Sequence, residues 1–145
     1  MTDQPVAELP KLPTRVVLDT NILVAAGFNP KSHSGLIIEV IRNGEVDLIW
    51  DQATYRESRR IISRIPPLDW GDFEELFQPE TEFVGDTNPQ GFHWIPDADD
   101  RKFAALATIA DADLISNDAH LLAPDSGELR VFTPAQWLAH NSRDR

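Results

Sequence analysis

At 145 residues the chain has the length of one domain with room for a buried core, and with 41% hydrophobic residues it holds no apolar run long enough to cross a bilayer. It contains no cysteine, which excludes disulfides and thiolate metal sites and leaves the redox compartment open. The net charge of −11 argues against a protein that grips nucleic acid by broad electrostatic attraction, although catalytic carboxylates can work beside a local basic patch.

Residues 1–13 carry three prolines and little apolar pattern, so a flexible leader is expected there. The opening Met1-Thr2-Asp3-Gln4-Pro5 lacks the basic-then-apolar pattern of a signal peptide, and the expectation is a soluble cytoplasmic protein with no membrane partner. A single domain is expected over 14–140, followed by a short tail, 141–145. The first strand is 14–18, and a short helix over 22–28 is closed by Gly27 and the Asn29-Pro30 turn signal. Ser34 can cap a second helix, in which Leu36, Ile37, Val40 and Ile41 have helical spacing, and Asn43-Gly44 ends it. A second strand reads over 46–50, with Asp51 at an N-cap position. The helix predicted over 52–65 buries Ile61, Ile62 and Ile65 and stops at Pro66-Pro67.

A further short helix is expected over 69–77 with Phe73, Leu76 and Phe77 inward, then a strand over 81–84. Residues 85–95 mix Gly, Pro, Asn and aromatics without periodicity and read as a loop. Asp97-Ala98-Asp99-Asp100 opens a helix with Phe103, Leu106, Ala107 and Ala110 along one side. A strand over 113–116 follows, then a turn at Asn117-Asp118 and a helical piece through Leu122. The last strand is 129–132, and Thr133-Pro134 begins a terminal helix with Trp137 and Leu138. There are no repeats and no low-complexity tract. Strands alternating with helices predict an α/β class, a three-layer α/β/α sandwich around a mostly parallel central sheet.

The candidate chemistry is acidic. Asp19 and Asp118 each follow an apolar strand, and open parallel sheets place their sites at that edge. Carboxylates held together repel, and a bound cation is the usual reason to tolerate it. Glu57, in the helix after the second strand, can lean back toward the same edge. Asp97, Asp99 and Asp100 form a third group; one suffices as a helix cap, which leaves the others unexplained. Each acid also has a bland reading, as cap, turn former or solvated surface charge. Arg56, Arg59, Arg60 and Arg64 surround Glu57, either as a solvated face with intrahelical ion pairs or as a basic ridge for phosphates. His33, His93, His120 and His140 show no metal-ligand spacing, and neither a phosphate loop nor a nucleophile elbow is present.

In this order the motifs resemble the PIN domain, the ribonuclease fold of VapC-type toxins and related nucleases. The carrying residues are Leu18-Asp19-Thr20-Asn21, Glu57, Asp97-Ala98-Asp99-Asp100-Arg101-Lys102-Phe103 and Ser116-Asn117-Asp118. The similarity is greatest to the branch with a D-P-D-D-x-K-F helix start and a terminal T-P-x-x-[FW]-L, and it runs from Arg15 to Leu138. It implies a metal-dependent endoribonuclease in which Asp19, Glu57, Asp100 and Asp118 hold Mg²⁺ or Mn²⁺. Thr20 and Asn21 would brace the first acid, Ser116 would stand near the fourth, and Asp97 and Asp99 would support the third. It also implies an RNA substrate, in-line attack leaving a 5′-phosphate, and a toxin–antitoxin role with a cognate antitoxin; homodimers are common in the fold. Two features depart from the pattern: Ser116-Asn117-Asp118 where Thr-Gly-Asp is more usual, and a long 85–95 loop carrying Phe92, His93 and Trp94. The competing readings are a catalytically inactive PIN-fold module that binds RNA or protein, and a haloacid dehalogenase-type phosphatase. The second lacks its second acid, since Asn21 stands two residues after Asp19.

Overall fold

Alternation along the central strands creates two apolar cores, one on each face of the sheet. The computed structural model describes residues 14–118, 121 and 128–142, so the expected leader, residues 143–145 of the tail and most of the helical piece before Leu122 lie outside the described residues. In β1 (Thr14–Leu18), Val16 and Leu18 join one core and Val17 the other, as the two-residue period of a strand requires. In β3 (Asp113–Ile115), Ile115 and Leu114 divide in the same way. With β2 (Val46–Leu48) and β4 (Val131–Phe132) they form a four-stranded sheet in the order β2-β1-β3-β4, parallel throughout. The pairs Val16↔Leu48, Leu18↔Ile115 and Ile115↔Phe132 set its register.

The first core is covered by α1 (Thr20–Phe28), α2 (His33–Arg42), α3 (Gln52–Ile62) and α5 (Pro134–Ser142), through Ile22, Ile37, Ile62 and the fully buried Trp137. The second is covered by α4 (Ala98–Ile109), through Phe103, Leu106 and Ala107. Parallel strands buried on both faces read as continuous apolar runs, which is why 16–18 and 114–115 carry only aliphatic residues. The expected three-layer α/β/α sandwich with a parallel sheet is borne out. Among the described residues no helix is long and apolar enough to cross a membrane.

Local chemistry moved several boundaries. Helix α2 starts at His33, because the Ser32 hydroxyl accepts from the Gly35 amide at 3.1 Å; Ser34 is buried inside the helix and is not its cap. Helix α1 begins at Thr20, two residues early, with Asp19 as its N-cap. A capping box at Asp51 and Thr54 starts α3 as expected. That helix ends at Ile62 rather than Ile65, and its buried side is Thr54, Glu57, Ser58 and Ile62, with Ile61 and Ile65 only half-buried. The expected helix over 69–77 is two short 3₁₀ turns, Trp70–Asp72 and Glu74–Leu76, which bury Trp70, Phe73 and Leu76. The expected strand over 81–84 is not formed: Trp50 and Glu82 share one isolated parallel bridge, and Val84 is exposed. The 85–95 loop contains one 3₁₀ turn, Pro89–Phe92.

Candidate active site

The strand order changes direction at β1 and β3: the chain leaves β1 for β2 on one side, then returns to β3 on the other. Open α/β sheets form their crevices at such a switch, beyond the carboxyl ends of the strands. Asp19 follows β1, and Ser116 and Asp118 follow β3. The backbone joins the two ends directly, since the Asp19 amide donates to the Ile115 carbonyl at 3.1 Å.

Asp19 is buried, 5% exposed, and its carboxylate is built into the fold. Oδ2 accepts from the Ser116 hydroxyl at 2.7 Å, and Oδ1 accepts from the Asn21 amide at 3.4 Å. Burial raises its pKa above the ordinary value; the Ser116 and Asn21 hydrogen bonds oppose this, and the Asp118 charge adds to it. Fully buried Ser116 is a two-way link, because its Oγ also accepts from the Asp118 amide at 2.9 Å. Asp19 is thus both helix cap and site acid, although Thr20 and Asn21 could have capped in its place. The expected bracing pair divides: Asn21 supports Asp19 through its backbone, whereas the Thr20 hydroxyl pairs with Ser58 of α3 at 2.8 Å.

Asp100 completes a cluster of three. Its carboxyl is pushed up to about 7, chiefly by burial, then by the Asp19 charge, a hydrogen bond with Asp118, and the charges of Asp97 and Asp118. Burial and the neighbouring negative charges both favour the protonated form of this carboxyl. Asp97 instead caps α4, its Oδ1 accepting from the Asp99 amide at 2.9 Å, and Asp99 is exposed. Among the described residues no three His, Asp or Glu side chains form a set already grouped to hold a metal ion. The donor chemistry nevertheless suits one, because mutually repelling carboxylate oxygens are the ligands a hard divalent cation prefers.

Glu57 is not drawn into that cluster. Its Oε1 accepts from Arg60 Nη2 at 2.9 Å and from Lys102 Nζ at 3.3 Å. Burial pushes its carboxyl up, but the Arg60 hydrogen bond and the Lys102 charge outweigh this and hold it below the ordinary value. Arg56, Arg59 and Arg60 are exposed along α3, and Arg64 is exposed in the turn that follows it. Sequence reading gave no role to Ser58 or Lys102. Lys102 lies inside the Asp-Asp-Arg-Lys-Phe run at the start of α4; nothing local marks Ser58. A cleft of 460 Å³ lined by Ala26, Pro30, Ile38, Leu68 and Phe73 includes none of these acids.

The sequence model of the PIN domain family matches residues 15–120, most of the chain. No match was found among proteins of curated function. Among solved structures, the fold is similar to a chain of VapBC2 from Rickettsia felis bound to a DNA fragment from its promoter. That similarity has a TM-score of 0.55 at 15% identity and covers 83% of this chain and 98% of that one. It is also similar to a chain of FitAB bound to an IR36 DNA fragment, with a TM-score of 0.53 at 15% identity, covering 82% of this chain and 94% of that one.

Proposed function

The chain belongs to the PIN-domain family, and from that premise we propose that it is a metal-dependent endoribonuclease acting on single-stranded or structured RNA. The observation that carries this reading is the meeting of Asp19, Asp100 and Asp118 beyond the ends of β1 and β3, where burial and mutual repulsion hold the Asp100 carboxyl near 7. Asp19, Asp100 and Asp118 would hold Mg²⁺ or Mn²⁺, with Ser116 and Asn21 fixing Asp19 and Asp97 and Asp99 supporting the start of α4; Glu57, expected as the fourth acid, instead accepts from Arg60 and Lys102. A bound divalent ion would polarise the scissile phosphate and acidify an attacking water. The protein's own part is to orient Asp19 through Ser116. In-line attack then leaves a 5′-phosphate and a 3′-hydroxyl. The exposed arginines of α3 would supply contacts to RNA phosphates that do not depend on sequence.

The fold shared with VapBC2 and FitAB supports a place as the toxin of a type II toxin–antitoxin pair, a cytoplasmic protein held by a cognate antitoxin and assembled as a homodimer. The test is purified protein with labelled single-stranded RNA in Mg²⁺, Mn²⁺ or chelator, beside Asp19→Asn. Cleavage by the wild type in metal alone, absent from the variant, is expected. Equal cleavage in chelator refutes metal dependence. No cleavage under any condition favours the inactive RNA- or protein-binding module, a reading supported by the engagement of Glu57 with two cations.

A further inference from the structure

Glu57 is a buried carboxylate that one cation would neutralise, yet a single oxygen of it receives two. Arg60 comes from the next turn of α3, at 2.9 Å, and Lys102 from α4, at 3.3 Å. The three groups together carry one net positive charge, and the neighbour of Glu57 in α3, Ser58, pairs with the neighbour of Asp19, Thr20, at 2.8 Å, which brings this part of α3 to the start of α1 beside the acids. Both cations reach the surface, the Arg60 side chain 47% exposed and that of Lys102 23%. A guanidinium has five N–H donors and an ammonium three, and Glu57 takes one from each. The other acid beside Lys102 is the exposed Asp99, 3.8 Å away.

We propose that Lys102 and Arg60, tethered to Oε1 of Glu57, form a phosphate-binding clamp for the RNA strand at the edge of the acidic cluster, with Glu57 as the residue that positions them. The inference rests on the nuclease reading and gives that site its means of holding substrate. A phosphodiester entering beside Asp19, Asp100 and Asp118 meets like charge on a chain of net charge −11, and side-chain cations at the site would offset it where no metal is bound. Tethering restrains two long side chains before the substrate arrives, which reduces the entropy lost on binding. The planar Arg60 fork suits two phosphate oxygens and Lys102 acts as a point charge. An ion pair that merely fastened α3 to α4 would be a weak source of stability, and it would leave RNA binding untouched.

The experiment is fluorescence anisotropy of a labelled single-stranded oligoribonucleotide in chelator, where no strand is cut, over a series of salt concentrations. Lys102→Gln should weaken binding about three- to tenfold and make the slope of log affinity against log salt shallower by about 0.7. Lys102→Arg should restore both. Arg60→Gln alters a side chain that is 47% exposed, and it carries the same expectation. Glu57→Gln removes a negative charge, which by charge alone would tighten binding; as loss of the positioning residue it should weaken it. Wild-type affinity and slope in both Lys102→Gln and Arg60→Gln overturn the clamp, as does tighter binding by Glu57→Gln or no binding by the wild type. The nuclease reading fails separately: a wild type that binds RNA through these residues but cuts nothing in Mg²⁺ or Mn²⁺ loses its catalytic assignment and keeps its clamp.

Discussion

Asp100→Asn should stabilise the metal-free protein at and above neutral pH and change little in acid. The Asp100 carboxyl titrates at about 7 in the folded protein, against an ordinary value of 3.8. Below about pH 4 it is protonated whether the chain is folded or unfolded, and it contributes no difference. As the pH rises toward 7 the unfolded chain releases this proton and the folded one retains it, so stability falls; above 7 the full penalty stands. At about 1.4 kcal/mol per pH unit the shift corresponds to roughly 4 kcal/mol for a group shut away from water. Asp100 is only partly buried, and solvent screening brings this to about 1–2 kcal/mol. Asparagine keeps the shape, cannot ionise, and can still donate to Asp118. Urea unfolding of both proteins in chelator, from about pH 5 to about pH 8, reads the effect, because any constant cost of the amide cancels in the difference. The gap should move in favour of the variant by about 1 kcal/mol across that range. A gap that stays flat, or closes as the pH rises, would refute the idea that these three carboxyls repel one another.

Ser116→Ala should cost about 1–3 kcal/mol in urea unfolding, because the buried Asp19 Oδ2 loses its 2.7 Å donor and the Asp118 amide loses its acceptor; a neutral result would show that water replaces the hydroxyl. Removing the charges of Arg56 and Arg59 together should make the salt dependence of RNA binding shallower by about 1.4, two single-strand phosphate contacts, with melting temperature unchanged. An unchanged slope would reduce that part of the ridge to a solvated face. Gly35→Ala should destabilise by at least about 2–3 kcal/mol, since the added methyl group would lie 2.0 Å from the Pro30 carbonyl oxygen and backbone must move to admit it. A two-state denaturation midpoint equal to wild type would mean that this turn is softer than its packing indicates.

The amino-acid sequence by itself determined what a short window can hold. The α/β alternation is written in the apolar periods of 14–18, 103–107 and 113–115. The caps at Asp51 and Thr133 were legible because a cap acts on amides two or three residues away. Asp19 and Asp118 were legible as strand-end acids for the same reason: the strand before each is plain in the sequence. What only the tertiary structure decided involves partners far apart in the chain. Asp100 rather than Asp97 or Asp99 joins Asp19 and Asp118, because α4 crosses the second face of the sheet with that residue toward the strand ends and Asp97 spent on the cap. Glu57 faces Lys102, 45 residues later, and no helical period could show that its buried oxygen would meet two cations instead of the other acids. The segment 81–84 fails as a strand because one bridge to Trp50 is its only pairing among the described residues. A strand needs a neighbour as much as a propensity, and the neighbour is supplied by the fold.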